Sequence, residues 1–340
     1  MWLRTSEVSF LLCLLASACL RAGQSPEQAY KNGLESFRQK RYAETAEILL
    51  PACTPAPGWK DALVMRAKAL IQTSHHAEAE LALREYLKYY DHDADAKFLL
   101  GYVLFRQNQP AASLAIYSAA AALQRPQPDD FKIVGLDYVL LNDYPEAMKW
   151  LERSVQENPK DAEAVYYLGR AYYNQNWFDK AISTFQQAIK VNPRFAKAHN
   201  NLGLALAAQN RLDLAEQSYR QAIGIGEEDG KKSEQPYINL AELLIDHTRV
   251  PEALELLDAA LRIDPSADKI QQLRGRALLI QDRLPEAEAA FRAALAVKPD
   301  SGPLHYQLGR VLKRLGRNKE SMQEFERSKS LMGTRSALPY

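Results

Sequence analysis

The sequence is poor in cysteine, in unbalanced charge and in long apolar runs, and each shortage excludes something. Of its 340 residues only three are Cys, and two of them, Cys13 and Cys19, lie in the N-terminal segment. Cys53 is the one beyond it, so no internal disulfide framework is possible, and Cys53 reads as a helix-end residue and not as a nucleophile. Lys plus Arg number 43 and Asp plus Glu 42; without residues 1–23, which hold Arg4, Arg21 and Glu7, the balance is 41 against 41. A neutral balance argues against a nucleic-acid partner, because such affinity comes largely from neutralised phosphates. Glycine is held to 15 residues while apolar residues make up 47%, which excludes collagen-like and disordered classes.

The uncharged apolar run near the N-terminus, Val8–Leu20, has 13 residues. As a helix it spans about 20 Å at ~1.5 Å per residue, short of the ~30 Å hydrocarbon core. Residues 1–23 are therefore expected to be a secretory signal peptide and not a spanning helix. Ala16-Ser17-Ala18 supplies a small-residue cleavage pattern, and Cys19 follows at once. The stretch also resembles a bacterial lipobox, with Ala16 where that motif prefers Leu, so Cys19 is a lipidation candidate. The expected location is the periplasm or cell envelope, with secretion as second choice.

Reactive motifs are missing too. GIGEEDGKKS, residues 224–233, lacks phosphate-loop spacing: three residues separate Gly226 from Gly230, and Lys232 stands where the hydroxyl is needed. Three carboxylates there would repel phosphate. His75, His76, His92, His199, His247 and His305 show no HExxH spacing and no partner cluster of four ligands. His75 and His76 read as solvated turn residues. There is no G-x-S-x-G elbow, and carboxylates on helix surfaces usually serve i,i+4 pairing. No catalytic, metal or cofactor site is expected.

What is present is a repeat. VPEALELLDAALRIDPS at 250–266 returns 34 residues later as LPEAEAAFRAALAVKPD at 284–300. Stepping by that period divides the chain into 26–59, 60–93, 94–127, 128–161, 162–195 and 196–229. After Gly230–Ser233 come 234–267, 268–301 and 302–335, with 336–340 as a tail. Each unit carries apolar residues at i, i+3, i+4 and i+7 in two stretches, A and B, which is a helical period. Counting from the first residue of each unit, position 8 is Gly33, Ala67, Gly101, Gly135, Gly169, Gly203, Ala241, Gly275 and Gly309. A small residue there lets the neighbouring helix approach, position 20 is mostly Ala for the same reason, and a larger side chain at position 24 fills the remaining space. Pro145, Pro251 and Pro285 open the B helices, where no N–H is lost, and a late Pro such as Pro193 or Pro299 stops them.

The clearest unit, 162–195, resembles the tetratricopeptide repeat through Leu168, Gly169, Tyr172, Ala181, Phe185, Ala188 and Pro193. The pattern recurs as Leu202-Gly203, Ala215, Tyr219 and Ala222, and as Leu308-Gly309 and Phe325. The resemblance covers residues 26–335. It implies an all-α fold: a right-handed α-solenoid superhelix of about nine helix-turn-helix units, its concave groove lined by A helices. A single pair cannot bury both faces, so neighbours must stack.

Departures from the pattern set further expectations. Arg66 and Arg274 stand where Leu is usual, with Met65 and Leu273 taking over the packing. Pro51 should shorten the first B helix. In the last unit Ser321 and Ser328 replace two Ala and Lys313, Arg314, Lys319, Glu320 and Glu324 crowd it, and a polar terminal unit suits a cap that must face water.

The resemblance also places A-helix positions 2, 5, 6, 9, 12 and 13 on the groove. Positions 5, 9 and 12 share one stripe: Phe98, Tyr102 and Phe105 in the third unit; Lys132, Leu136 and Val139 in the fourth; Tyr166, Arg170 and Tyr173 in the fifth, with Tyr167 beside them. Tyr and Arg are enriched at binding hot spots, although these rings could equally pack on the next A helix. Asn201 and Asn239, with Asn200 adjacent, resemble rungs of an asparagine ladder that holds an extended peptide. A carboxylate clamp is absent, since Leu136 and Leu273 stand where its Asn and Arg belong. The reading is a non-enzymatic scaffold that binds a protein or peptide segment, without nucleic acid or cofactor, and with a membrane only through Cys19. Alternatives are a lipid-anchored envelope assembly factor and, further off, a glycan-binding or enzymatic solenoid.

Overall fold

Nearly every stretch with the helical period is a helix. The computed structural model describes residues 25–52 and 60–335, so Cys13, Cys19, Cys53 and the segments around them lie outside the described residues. Among the described residues are eighteen α-helices and one short 3₁₀ turn at Leu50–Ala52. They are α1 (Pro26–Arg38), α2 (Tyr42–Ile48), α3 (Lys60–Gln72), α4 (His76–Leu87), α5 (Ala94–Arg106), α6 (Pro110–Ala121), α7 (Pro128–Leu140), α8 (Tyr144–Glu157) and α9 (Ala162–Asn174). Then follow α10 (Phe178–Val191), α11 (Ala196–Ala208), α12 (Leu212–Glu228), α13 (Gln235–Asp246), α14 (Val250–Ile263), α15 (Asp268–Ile280), α16 (Leu284–Val297), α17 (Gly302–Arg314) and α18 (Asn318–Arg335). The first B helix, α2, stops at Ile48, three residues before Pro51.

The chain forms two compact units, Met1–Gln175 and Asn176–Tyr340, and the division falls inside the fifth repeat. In the first unit each A helix packs on the B helix that follows it, and each B helix on the next A helix: α5 on α6, α6 on α7, α7 on α8, α8 on α9. The same alternation runs from α10 to α18 in the second unit.

One backbone feature recurs at every A-to-B turn. Lys40, Ser74, Asn108, Asn142, Asn176, Asn210, Thr248, Asp282 and Gly316 all have φ between 58° and 77°. They fall on one repeat position. In the third repeat Asn108 N–H donates to the Phe105 carbonyl at 2.9 Å and Gln109 N–H to the Leu104 carbonyl at 3.0 Å. This left-handed cap satisfies carbonyls that the helix end leaves over. Asn and Gly tolerate the geometry, whereas β-branched Thr248 does not.

Position 8 sets how near A and B helices come. A Cβ added at Gly101 would lie 2.7 Å from the Tyr117 ring, and one at Gly203 2.5 Å from the Tyr219 ring. Gly275 and Gly309 stand in the same relation to Phe291 and Phe325. Where position 8 is Ala67 or Ala241, the facing position 24 is Leu83 or Leu257. A ring at position 24 thus always faces glycine, while a leucine there faces alanine or, as Leu49 does at Gly33 and Leu151 at Gly135, glycine.

Charge stitches the repeats of the second unit. Glu216 on α12 accepts from Arg220 of its own helix at 2.8 Å and from Arg249 of the next repeat at 2.6 Å. Arg249 and Arg220 both also reach Glu252. Two repeats on, Glu288, Arg292, Arg317 and Glu320 build the same four-membered network at the same repeat positions. Arg66 and Arg274 reach the preceding B helix: Arg66 donates to the Ala46 carbonyl at 3.0 Å and Arg274 to Asp258 at 3.1 Å. Leu273 is buried and Met65 half-buried, as compensation requires.

Two expectations need correction. Ser321 and Ser328 do not face water; they are 3% and 1% exposed. Ser321 Oγ donates to the Gly309 carbonyl at 2.8 Å, as Ser113 Oγ does to the Gly101 carbonyl at 2.9 Å. A serine at this position therefore satisfies itself inside the helix contact. His76, the first residue of α4, is half-buried rather than solvated, and its carbonyl accepts from Gln107, the residue that caps α5, at 3.1 Å.

Candidate protein-docking face

The aromatic stripe lies on α5, α7 and α9, which are neighbours within the first unit. Its members differ in depth. Phe98, Leu136 and Tyr166 are buried, so they form the floor. Phe98 packs with Tyr117, ring centroids 5.9 Å apart. Tyr102, Phe105 and Tyr167 are half-buried against the same apolar cluster and form the layer above. Arg170 and Tyr173 are half-buried. The Arg170 guanidinium sits 5.8 Å from the Tyr167 ring centre and 5.9 Å from that of Tyr166, and those two rings meet edge to face at 5.2 Å. A guanidinium over two rings is held in place at low entropic cost. Arg106, exposed at the end of α5, donates to the Tyr102 hydroxyl at 2.6 Å and extends the patch.

Lys132 is not an open cation. Its Nζ lies 2.7 Å from Asp161 and 3.2 Å from Asp129, with Glu163 at 3.9 Å. Burial pushes the Asp161 carboxyl up, but Lys132 and the amides of Glu163 and Ala164 outweigh it and hold it below the ordinary carboxylate value. Asp161 is also the N-cap of α9. Lys132 therefore ties α7 to the start of α9.

The three asparagines belong to the second unit and are engaged with the chain itself. Asn239 Nδ2 donates to Asn200 Oδ1 at 2.9 Å, and Asn239 Oδ1 accepts from Gln235 at 3.1 Å. Asn201 Nδ2 donates to the Lys197 carbonyl at 2.9 Å. Asn200 is buried, while Asn201 and Asn239 are half-buried. Asn200 and Asn239 thus form a bridge between α11 and α13, while Asn201 is tied to its own helix. The last A helix of this unit, α17, presents a different surface: exposed Tyr306 beside exposed Arg310 and Lys313. Among the described residues there is no group of three or more His, Cys, Asp or Glu placed to hold a metal ion, and no helix is long and apolar enough to cross a membrane.

One unusual residue escaped the sequence reading. Asp137 on α7 is completely buried. The signal was there: the same repeat position holds Ala69, Val103, Ala171, Ala205, Leu243, Ala277 and Val311 in seven other repeats, and an exposed Glu35 in the first.

The repeat period, the glycine–ring pairs and the capped turns leave few families open. Models of the tetratricopeptide repeat match residues 64–130, 168–230, 238–302 and 273–331, and a second model of the same repeat matches 135–176. The chain belongs to the tetratricopeptide repeat family. Such repeats are protein-interaction scaffolds, generally without enzymatic activity of their own. Solved structures agree on the fold. A tetratricopeptide repeat protein from Parabacteroides merdae has TM-score 0.58 at 17% identity, over 74% of this chain and 98% of that one. PilW, a type IV pilus biogenesis factor, has TM-score 0.54 at 17% identity, over 58% and 90%. The C-terminal part of a repeat protein from Cytophaga hutchinsonii has TM-score 0.52 at 19% identity, over 82% and 99%. Comparison with curated proteins finds no match.

Proposed function

We propose that this tetratricopeptide repeat protein is a non-enzymatic scaffold that captures a protein or peptide segment on the A-helix face of α5, α7 and α9. The observation that carries the reading is the graded aromatic patch. Buried Phe98, Leu136 and Tyr166 fix a rigid floor, and half-buried Phe105 stands on it beside Tyr102, Tyr167, Arg170 and Tyr173, which have apolar faces and polar ends. Rings that are immobilised before binding lose little entropy on contact, which is why Tyr and Arg dominate hot spots. Lys132 and the Asn200–Asn239 bridge act by setting the spacing of the A helices. Tyr167→Ala and Arg170→Ala should each weaken capture by about 1–3 kcal/mol. The measurement is a cross-linked pull-down from the native host, read by mass spectrometry, followed by titration of the captured partner. Unchanged affinity in both variants, with helicity intact, refutes the site.

The scaffold is also read as exported to the cell envelope, with Cys19 as the lipid-bearing residue if it is anchored there. Support comes from the apolar run Val8–Leu20 and the small residues before Cys19. Incorporation of a radiolabelled fatty acid that disappears in Cys19→Ala distinguishes the anchored form from a freely secreted one. Recovery of the protein in the cytoplasm with residues 1–23 intact refutes export.

A further inference from the structure

Asp137 sits where α7 packs on α6, at the junction of the third and fourth repeats. It is 0% exposed, and neither carboxylate oxygen has a hydrogen-bond partner. An ionised carboxylate in such a place carries a large desolvation cost with nothing to offset it. The Ser113 hydroxyl on α6 faces the carboxyl, but its proton is committed to the Gly101 carbonyl at 2.9 Å. The oxygen of that hydroxyl still has acceptor capacity. A protonated carboxyl has a proton to give it. The arrangement is therefore complete in one protonation state and broken in the other.

We propose that Asp137 is carried as the neutral acid, donating to Ser113 Oγ, which donates to the Gly101 carbonyl, so that loss of this one proton to water loosens α7 from α6. Burial pushes the carboxyl up to about 7. Around it, the Tyr117 phenol of α6 is the titratable side chain coupled to the carboxyl, and burial holds that phenol far above its usual range. Burial is the leading influence on the carboxyl, and Asp129 and Asp130, on α7 itself, act on Tyr117. The sign follows from linkage. The folded value lies above the ordinary 3.8, so the contribution of the neutral acid is whole below that value. It is lost progressively as pH rises, until the folded protein also ionises near 7. Over that window the unfolding constant of the junction rises about tenfold per pH unit. Because α7 also carries Lys132 and Leu136, the docking face would loosen with it; that consequence alone rests on the proposed function.

The test is hydrogen exchange of the purified full chain between about pH 5 and about pH 8.5, corrected for intrinsic exchange, read on the α6 and α7 amides. In the native sequence those amides should lose protection steeply up to neutral pH and level off above it. Asp137→Asn, which cannot ionise, should remove that slope, and Asp137→Leu, which keeps the site apolar, should do the same. Equal slopes in the native chain and both variants overturn the proposal. If Asp137→Asn does not fold, Asp137→Leu decides. If neither folds, the infrared spectrum of the native chain decides: a buried neutral carboxylic acid band at pH 6 that fades by about pH 8.5 supports the proposal, and its absence at both values overturns it. No partner is involved in any of these measurements, so they stand or fall apart from the docking face.

Discussion

The pairing of glycine with a ring at the A–B contact makes a quantitative prediction at Gly203. In Gly203→Ala the new Cβ would stand 2.5 Å from Tyr219 Cε1, 2.7 Å from Cδ1 and 3.0 Å from Cζ. Carbon atoms in good contact are about 3.5–4.0 Å apart. Tyr219 is 2% exposed, so its ring cannot swing into solvent. Overpacking of this kind costs about 1–3 kcal/mol, and three short contacts on a trapped ring put it at the upper end. Replacing a mid-helix glycine returns about 1 kcal/mol of helix propensity. The net expectation is a loss of about 2 kcal/mol. Tyr219→Leu alone empties part of a filled site and costs about 1–2 kcal/mol. The double variant reproduces the pairing of Ala241 with Leu257 in the next repeat. It should therefore be more stable than the sum of its parts by at least about 1 kcal/mol. Urea unfolding followed by circular dichroism on the four proteins of the cycle measures this coupling. Costs that add to within about 0.5 kcal/mol, or a Gly203→Ala variant more stable than the parent, would refute the packing argument.

Other consequences can be checked with the same assay. Thr248 has φ 63° at the position where the preceding repeat has Asn210 at 59°. Thr248→Asn should gain about 1 kcal/mol and Asn210→Thr should lose about as much; effects of the same sign would show that the turn does not set the cost. Ser321→Ala, which removes the bond to the Gly309 carbonyl, should cost about 1 kcal/mol. Glu216 is pushed up by burial but pulled further down by Arg249 and Arg220, so it stays below its ordinary 4.5. Its contribution is then full above that value and lost as pH falls through the lowered one. Glu216→Gln should flatten this acid limb and weaken the salt dependence of unfolding, whereas an unchanged acid limb would count against the network.

Much of the architecture was legible because a repeat states its constraints nine times. The 34-residue period, the small residue at position 8, the opening prolines and Pro51 are local signals, and helices with those bounds follow from backbone chemistry. The docking stripe was legible as a row of residues but not as a depth profile. Phe98 and Tyr166 read as the same kind of side chain as Tyr102 and Tyr167, yet two are floor and two are surface. Helical spacing fixes direction around an axis, and the neighbouring helix decides how much of each ring it covers.

Sequence by itself determined the helices, their order and their family, since period, capping and close-approach residues act within or next to one repeat. Tertiary structure alone decided which charges meet, as in the paired Glu216 and Glu288 networks, and which amides are spent, as with Asn200 and Asn239. It also decided that Asp137, whose equivalents in seven other repeats are apolar, is wholly buried at a helix contact. Those outcomes depend on what stands across a helix contact, and the identity of that neighbour is a property of the stack and not of any one stretch of chain.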